Sequence, residues 1–377
     1  MTSRFRNQLT IVPPVRVALS RNGVATTIDW SSRGADKGLL GSSRSMRTIG
    51  DVRRSGPLAT DPYLIPGTRK DFGGGEVATL TSKGLNGFKE LIIATRERRR
   101  EIQADLKTAK WQLAFSWTAK ALAGVTLLSA VSPSVRNKTD TALALRRSEV
   151  GNLNSNLSTS HIAISFDMDT PVAGPHAKML LAFDKLRNSQ RSWILQTTQR
   201  IDRVRARSMA DTVVSRGNAV LGRNADQLIS TNDQPLAISV QNGRATAYFY
   251  PGFLLVTSSS TDDFAVIDLR ELDVFYDASS FTETESIPSD ATMVGKVWAK
   301  SNKNGTRDRR FKDNRELPVM RYGHVGLWSQ EGMDELLMFS RDDACREFVS
   351  AVKELQNMLK SGPQNRFDPA RPAITQR

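Results

Sequence analysis

The chain predicts an α+β protein of several parts: a small antiparallel β segment, a long helical middle and a C-terminal β domain closed by one helix. Three observations predict it. Seven short strand-like runs crowd the stretch from 245 to 339. At Asp342 the apolar period changes from strand-like to helical, and Gly362-Pro363 ends the pattern. Between Gly87 and Pro133 the chain runs without a proline through helical sequence.

Residues 1–72 read as a basic β-hairpin domain. Val15–Leu19 and Val24–Ile28 are β-prone, and Ser20-Arg-Asn-Gly23 joins them. Asn-Gly between such runs is a strong hairpin signal, because both residues accept positive φ. Residues 1–70 carry 12 Lys/Arg and 4 Asp/Glu. Arg44, Arg47, Arg53 and Arg54, in Ser/Gly-rich surroundings, suit either an arm for nucleic acid or a solvated basic loop. Gly73-Gly-Gly75 then breaks the chain.

Residues 85–160 read as a long helix or helical hairpin. Phe88, Leu91 and Ile92 lead into Arg96–Glu101, where acids and arginines fall at i,i+3 and i,i+4 spacing. A helix of about 45 residues spans roughly 65 Å, the length of a spacer. The stretch 111–131 is mostly apolar, with Trp111 and Trp117 near one end, but Lys120 falls at its centre. A lysine there costs about 2.5–3.5 kcal/mol in a bilayer, so burial between helices or in a homo-oligomer is the preferred reading. Val135–Leu157 is a second helical stretch able to fold back on the first.

Residues 161–234 are mixed. Ile162–Phe166 and Trp193–Leu195 are strand-like, and Met179, Leu180, Phe183 and Leu186 mark an amphipathic helix. Arg200, Arg203 and Arg207 fall at i, i+3 and i+7, which on a helix makes one basic stripe suited to a phosphate backbone or an acidic partner. The same spacing also fits an ordinary solvated face.

Residues 235–360 hold the strand series. Tyr248–Tyr250 is short and aromatic, and Pro251-Gly252 turns the chain. Phe253–Thr257 is continuously apolar, as in a strand buried on both faces. Phe264–Leu269, Leu272–Tyr276, Thr292–Ala299, Val319–Trp328 and Glu335–Phe339 follow. Asp342 begins a helix with Ala344, Phe348, Val352, Leu355 and Leu359 on one face. Strands closed by one terminal helix have the element order of a pleckstrin-homology-like barrel. An open antiparallel sheet with a packing helix has the same order. Residues 361–377 are polar and Pro-containing, the composition of a disordered tail.

The loop Ser301–Glu316 interrupts the strands with six Lys/Arg and three Asp/Glu. Arg309, Arg310 and Lys312 are candidates to grip an anion while Phe311 stacks or wedges. In the competing reading Phe311 anchors the loop on the domain, and Asp308 and Asp313 pair with the arginines.

Several stretches together resemble a bacterial and phage family of domains of unknown function. Arg4-Phe-Arg6, the Ser20–Val24 turn and Ile65-Pro-Gly-Thr68 are similar to its N-terminal signature over about the first 70 residues. Ser189–Trp193, Tyr250–Val256 and Asp308–Asn314 look like blocks shared by its long members. Trp30–Arg54 departs from the compact repeat of the family, being richer in Ser and Arg. The resemblance implies a prokaryotic or phage origin and supplies no catalytic residues.

The net charge of +14 points to acidic partners: nucleic acid, an anionic membrane surface or an acidic protein surface. One cysteine, Cys345, excludes an internal disulfide and a paired-cysteine zinc site. His161, His176 and His324 are far apart in sequence. There is no phosphate loop, no dinucleotide-binding glycine motif, no HExxH and no GxSxG. Asp167 and Asp169 form an Asp-x-Asp pair of the kind that holds Mg²⁺, with no second acidic cluster beside it in sequence. The reading is a non-enzymatic binding or scaffold protein that engages an acidic partner and needs no cofactor or metal. The alternative is a nucleic-acid-binding factor, and the third reading is a metal-dependent phosphoryl-transfer enzyme. No long apolar leader opens the chain, so the cytoplasm is the expected compartment.

Overall fold

The structure is a computed structural model and describes residues 15–20, 23–28, 64–125, 133–231 and 234–360. The N-terminal hairpin forms: β1 (Val15–Ser20) pairs antiparallel with β2 (Gly23–Ile28). It does not stand alone. β1 also pairs in parallel with β4 (Ile162–Met168), and β4 with β8 (Ile229–Thr231). The resulting four-stranded mixed sheet has the order β2-β1-β4-β8. Val15, Val17, Ile162 and Ile164, alternating along their strands, are buried in the main core.

Helix α1 (Asn86–Val125) runs for 40 residues, about 60 Å. Helix α2 (Pro133–Thr159) returns antiparallel beside it. Lys120 pairs with Asp140 at 2.6 Å, Arg147 lies over the Trp117 ring, and Arg99 donates to the carbonyls of Leu157 and Ser160. Ile102, Leu106, Ala109 and Leu143 are buried along the pair. Among the described residues, no helix is long and apolar enough to cross a membrane. The last part of the 111–131 stretch lies outside them.

Two further sheets carry most of the chain. One is an antiparallel meander in the order β12-β11-β10-β9-β7, formed by β7 (Leu221–Arg223), β9 (Leu236–Val240), β10 (Ala245–Phe249), β11 (Phe253–Ser258) and β12 (Phe264–Asp268). β11 and β12 are buried almost throughout, as their unbroken apolar runs predict. The other sheet has seven strands. Its path is β13 (Asp273–Thr282), β15 (Glu316–Trp328), β16 (Asp334–Phe339), β5 (Ser192–Arg200) and β3 (Lys70–Asp71). β14 (Thr292–Trp298) pairs with β15, and β6 (Thr212–Asn218) with β5.

The closing helix is α5 (Asp342–Lys360). It buries the five residues that the sequence placed on one face: Ala344, Phe348, Val352, Leu355 and Leu359. Phe348 meets Phe183 at 5.8 Å and Phe249 at 6.3 Å between ring centroids. Helix α3 (Thr170–Arg187) crosses it antiparallel, through Lys178–Glu354 and Lys185–Glu347 ion pairs. Gly323 permits the close approach of helix and sheet, since a Cβ there would lie 2.7 Å from Cys345 Sγ. Cys345 is a buried core residue, and burial pushes its thiol up.

Two expectations change. Among the described residues the strands form separate sheets rather than a closed barrel. The boundary at 235 also falls within a sheet. Ile194 of β5 pairs with Leu337 of β16, so strands from before residue 235 complete the C-terminal sheet. β16 is an interior strand, paired with β15 on one side and β5 on the other.

A second core cluster fills the far side of the seven-stranded sheet with Trp193, Leu195, Met320, Tyr322 and Met338. Arg216 lies over the Trp193 and Phe281 rings and reaches buried Glu283 at 2.8 Å. The Tyr322 hydroxyl donates to the same carboxylate at 2.7 Å. Desolvation pushes Glu283 up, but hydrogen bonds from Arg216, the Glu285 backbone and Tyr322 bring it below its ordinary value.

Candidate functional site

The site begins where β5 ends. Arg200 is the last residue of that strand, and its carbonyl accepts from Ile65 N–H at 2.9 Å. The Ile65–Thr68 turn therefore docks here, with Gly67 at φ 75° and Thr68 Oγ1 bonded to Ile65 O. Asp202 then caps a helix of four residues, α4 (Arg203–Ala206), accepting from the N–H groups of Val204 and Arg205. Arg207 ends it in the left-handed conformation at φ 54°, ψ 44°.

This corrects the expectation of a basic helical stripe. Arg200 lies on a strand, Arg203 on a single helical turn and Arg207 beyond it. The physical reason is local. β5 runs on through Thr197 and Thr198, residues that favour strands. The Asp202 cap starts a helix only after the strand has ended.

The Arg207 turn receives the loop between β14 and β15. Ser301 N–H donates to Arg207 O at 2.9 Å, and Lys300 Nζ to Ala206 O at 3.2 Å. At the base of the loop, Asn314 Oδ1 accepts from Lys300 N–H, and its Nδ2 donates to the carbonyls of Lys300 and Asp308. Asn302–Gly305 forms the turn expected there, with Gly305 at φ 83°.

Asp308 is the hub of the loop and is only 2% exposed. Its carboxylate accepts from Arg310 Nε and Nη2, each at 2.9 Å, from Arg310 N–H, and from Arg207 Nη1. These bonds, Arg310 foremost, hold Asp308 well below the usual carboxylate range against desolvation. The Arg207 guanidinium also covers Phe311, 5.7 Å from the ring centroid. Arg307 covers Trp298 in the same way at 5.2 Å.

The two basic stretches singled out in the sequence thus meet on one surface. Residues 200–209 and 299–315 together hold eleven Lys/Arg and three Asp. Arg310 is engaged with Asp308 rather than waiting for an anion. Arg309 and Lys312 are exposed, and their side chains make no ion pair among the described residues. Phe311 is no buried anchor: the residue is 38% exposed. Asp313 is exposed and makes no ion pair among the described residues. The Arg207–Asp308 contact was invisible in the sequence because 101 positions separate the partners. Lys300 and Asn314 carried no local signal either.

Other chemistry is sparse. Asp167 lies on β4 and Asp169 at the N-cap of α3. Among the described residues, no three His, Cys, Asp or Glu side chains converge as metal ligands. Ser279 Oγ approaches His324 Nε2 at 3.2 Å, and burial lowers that histidine. Searches against family models, curated proteins and solved structures return no match to this chain.

Proposed function

We propose that this chain is a non-enzymatic binding and scaffold protein of a prokaryote or phage, and that it engages an acidic partner through the surface built from Arg200–Met209 and Ala299–Arg315. The observation that carries the reading is the division of labour among the charges. Asp308 is buried and satisfied internally by Arg310 and Arg207. That leaves Arg309 and Lys312 on a loop fixed at its base by Asn314. Loops held by rigid strands commonly carry binding groups, and exposed cations without partners attract anionic surfaces. The scaffold part of the reading draws on the 40-residue arm of α1, where Trp111 and Phe115 are 72% and 77% exposed and offer an apolar contact to a second copy. The prokaryotic or phage origin rests on the motif resemblance alone.

The test is a charge reversal. Arg309→Glu with Lys312→Glu is expected to elute from an immobilised polyanion at lower salt than the unaltered protein, with unchanged melting. Equal retention would remove the surface from the proposal.

A further inference from the structure

We infer that the acidic partner taken up at this surface is a single-stranded nucleic acid, with one base stacked on Phe311. The inference rests on the proposed binding role and names its ligand. Cations alone do not select among anions. The aromatic rings set between them do. Phe311 has the Arg207 guanidinium over its ring and remains 38% exposed. Trp298, next to the same loop, is half-buried with Arg307 over its ring. A ring held beside the Arg207 guanidinium and flanked by Arg309 and Lys312 presents a platform for a flat base and counter-charges for the phosphates on either side. Base–aromatic stacking combined with a basic track is how single strands are held with little sequence preference.

The stacking geometry disfavours a duplex. Stacking on Phe311 requires a base free of its own neighbours, which a duplex does not offer. An acidic protein could satisfy Arg309 and Lys312 but would leave the exposed ring without a flat partner.

The experiment is fluorescence anisotropy with the full chain and four probes: a labelled oligo-dT, a duplex of equal length, polyphosphate, and vesicles containing phosphatidylserine. The unaltered protein is expected to bind oligo-dT most tightly. Phe311→Ala should weaken oligo-dT about tenfold while changing polyphosphate binding less than twofold. Phe311→Trp should retain binding, and its added indole fluorescence should be quenched by oligo-dT. That variant keeps the test decisive if Phe311→Ala unfolds. Tightest binding of the duplex or the vesicles would overturn the inference. So would oligo-dT bound no better than polyphosphate, or a Phe311→Ala protein with unaltered oligo-dT affinity. In those cases the acidic-partner role would stand. Failure to bind any of the four probes would overturn both.

Discussion

Glu335 gives the structure a built-in pH dependence. It belongs to β16 and is 2% exposed. One carboxylate oxygen accepts from Gln241 N–H at 2.9 Å; the other is buried with no hydrogen-bond partner among the described residues. Desolvation pushes its pKa from 4.5 up to about 7; the Gln241 bond and Arg244 oppose this, and Asp334 adds to it. The folded state therefore holds the proton more tightly than the unfolded chain. The associated stability is fully present below about pH 4.5 and is lost as the pH rises to about 7. At about 1.4 kcal/mol per pKa unit, the shift amounts to something on the order of 3 kcal/mol. Glu335→Gln keeps an acceptor for Gln241 and removes the charge. Urea denaturation at intervals from pH 4.5 to 8 should show the two proteins equally stable at the acid end. The variant should pull ahead by about 3 kcal/mol at the alkaline end. A difference that is flat across that range would show that Glu335 takes up no proton on folding.

Two more outcomes follow from the cores. Phe348→Ala removes a ring joining α5 to α3 and β10 and should cost about 3–5 kcal/mol in denaturant unfolding; a loss under half a kcal/mol would place the ring outside the core. Arg216→Ala leaves the Glu283 carboxylate buried without its cation and should cost about 3–5 kcal/mol, recovered in part by adding Glu283→Gln; equal stability of single and double variants would refute the pairing.

Much of the fold was legible because it is local. The five residues from Ala344 to Leu359 fix the face of α5 by spacing alone. The β-prone runs on either side of Ser20–Gly23 announce the first hairpin, whereas its register pairs Ser20 with Gly23 and so places Gly23 in β2 rather than between the strands. Lys120 spoke against a bilayer span, and it is paired with Asp140 on the returning helix. What failed was long-range. Nothing near Trp193 says that β5 pairs with β16, so the boundary at 235 cut a sheet. Arg200, Arg203 and Arg207 have helical spacing, yet β-prone residues before them and an Asp202 cap after the strand divide them among three conformations. Of the site, the loop and its acid–arginine pairing were visible. The joining of that loop to the Arg207 turn was not, because a contact across 101 positions leaves no periodic trace. The readings on Arg4-Phe-Arg6, on Arg44, Arg47, Arg53 and Arg54, and on the 361–377 tail concern residues outside those described.

Exposed cations on a loop fixed at its base by Asn314 should meet an acidic partner. The most direct measurement is a salt titration of oligo-dT, polyphosphate and anionic-vesicle binding by the unaltered protein and by Arg309→Ala with Lys312→Ala, alongside thermal melts. The unaltered protein should bind at least one of these, with the logarithm of affinity falling linearly in the logarithm of salt. For a single strand the double variant should reduce that slope by about 1.4, near 0.7 for each lost contact, and melt at the same temperature. Identical slopes and affinities for the two proteins on every acidic probe would show that Arg309 and Lys312 take no part in binding.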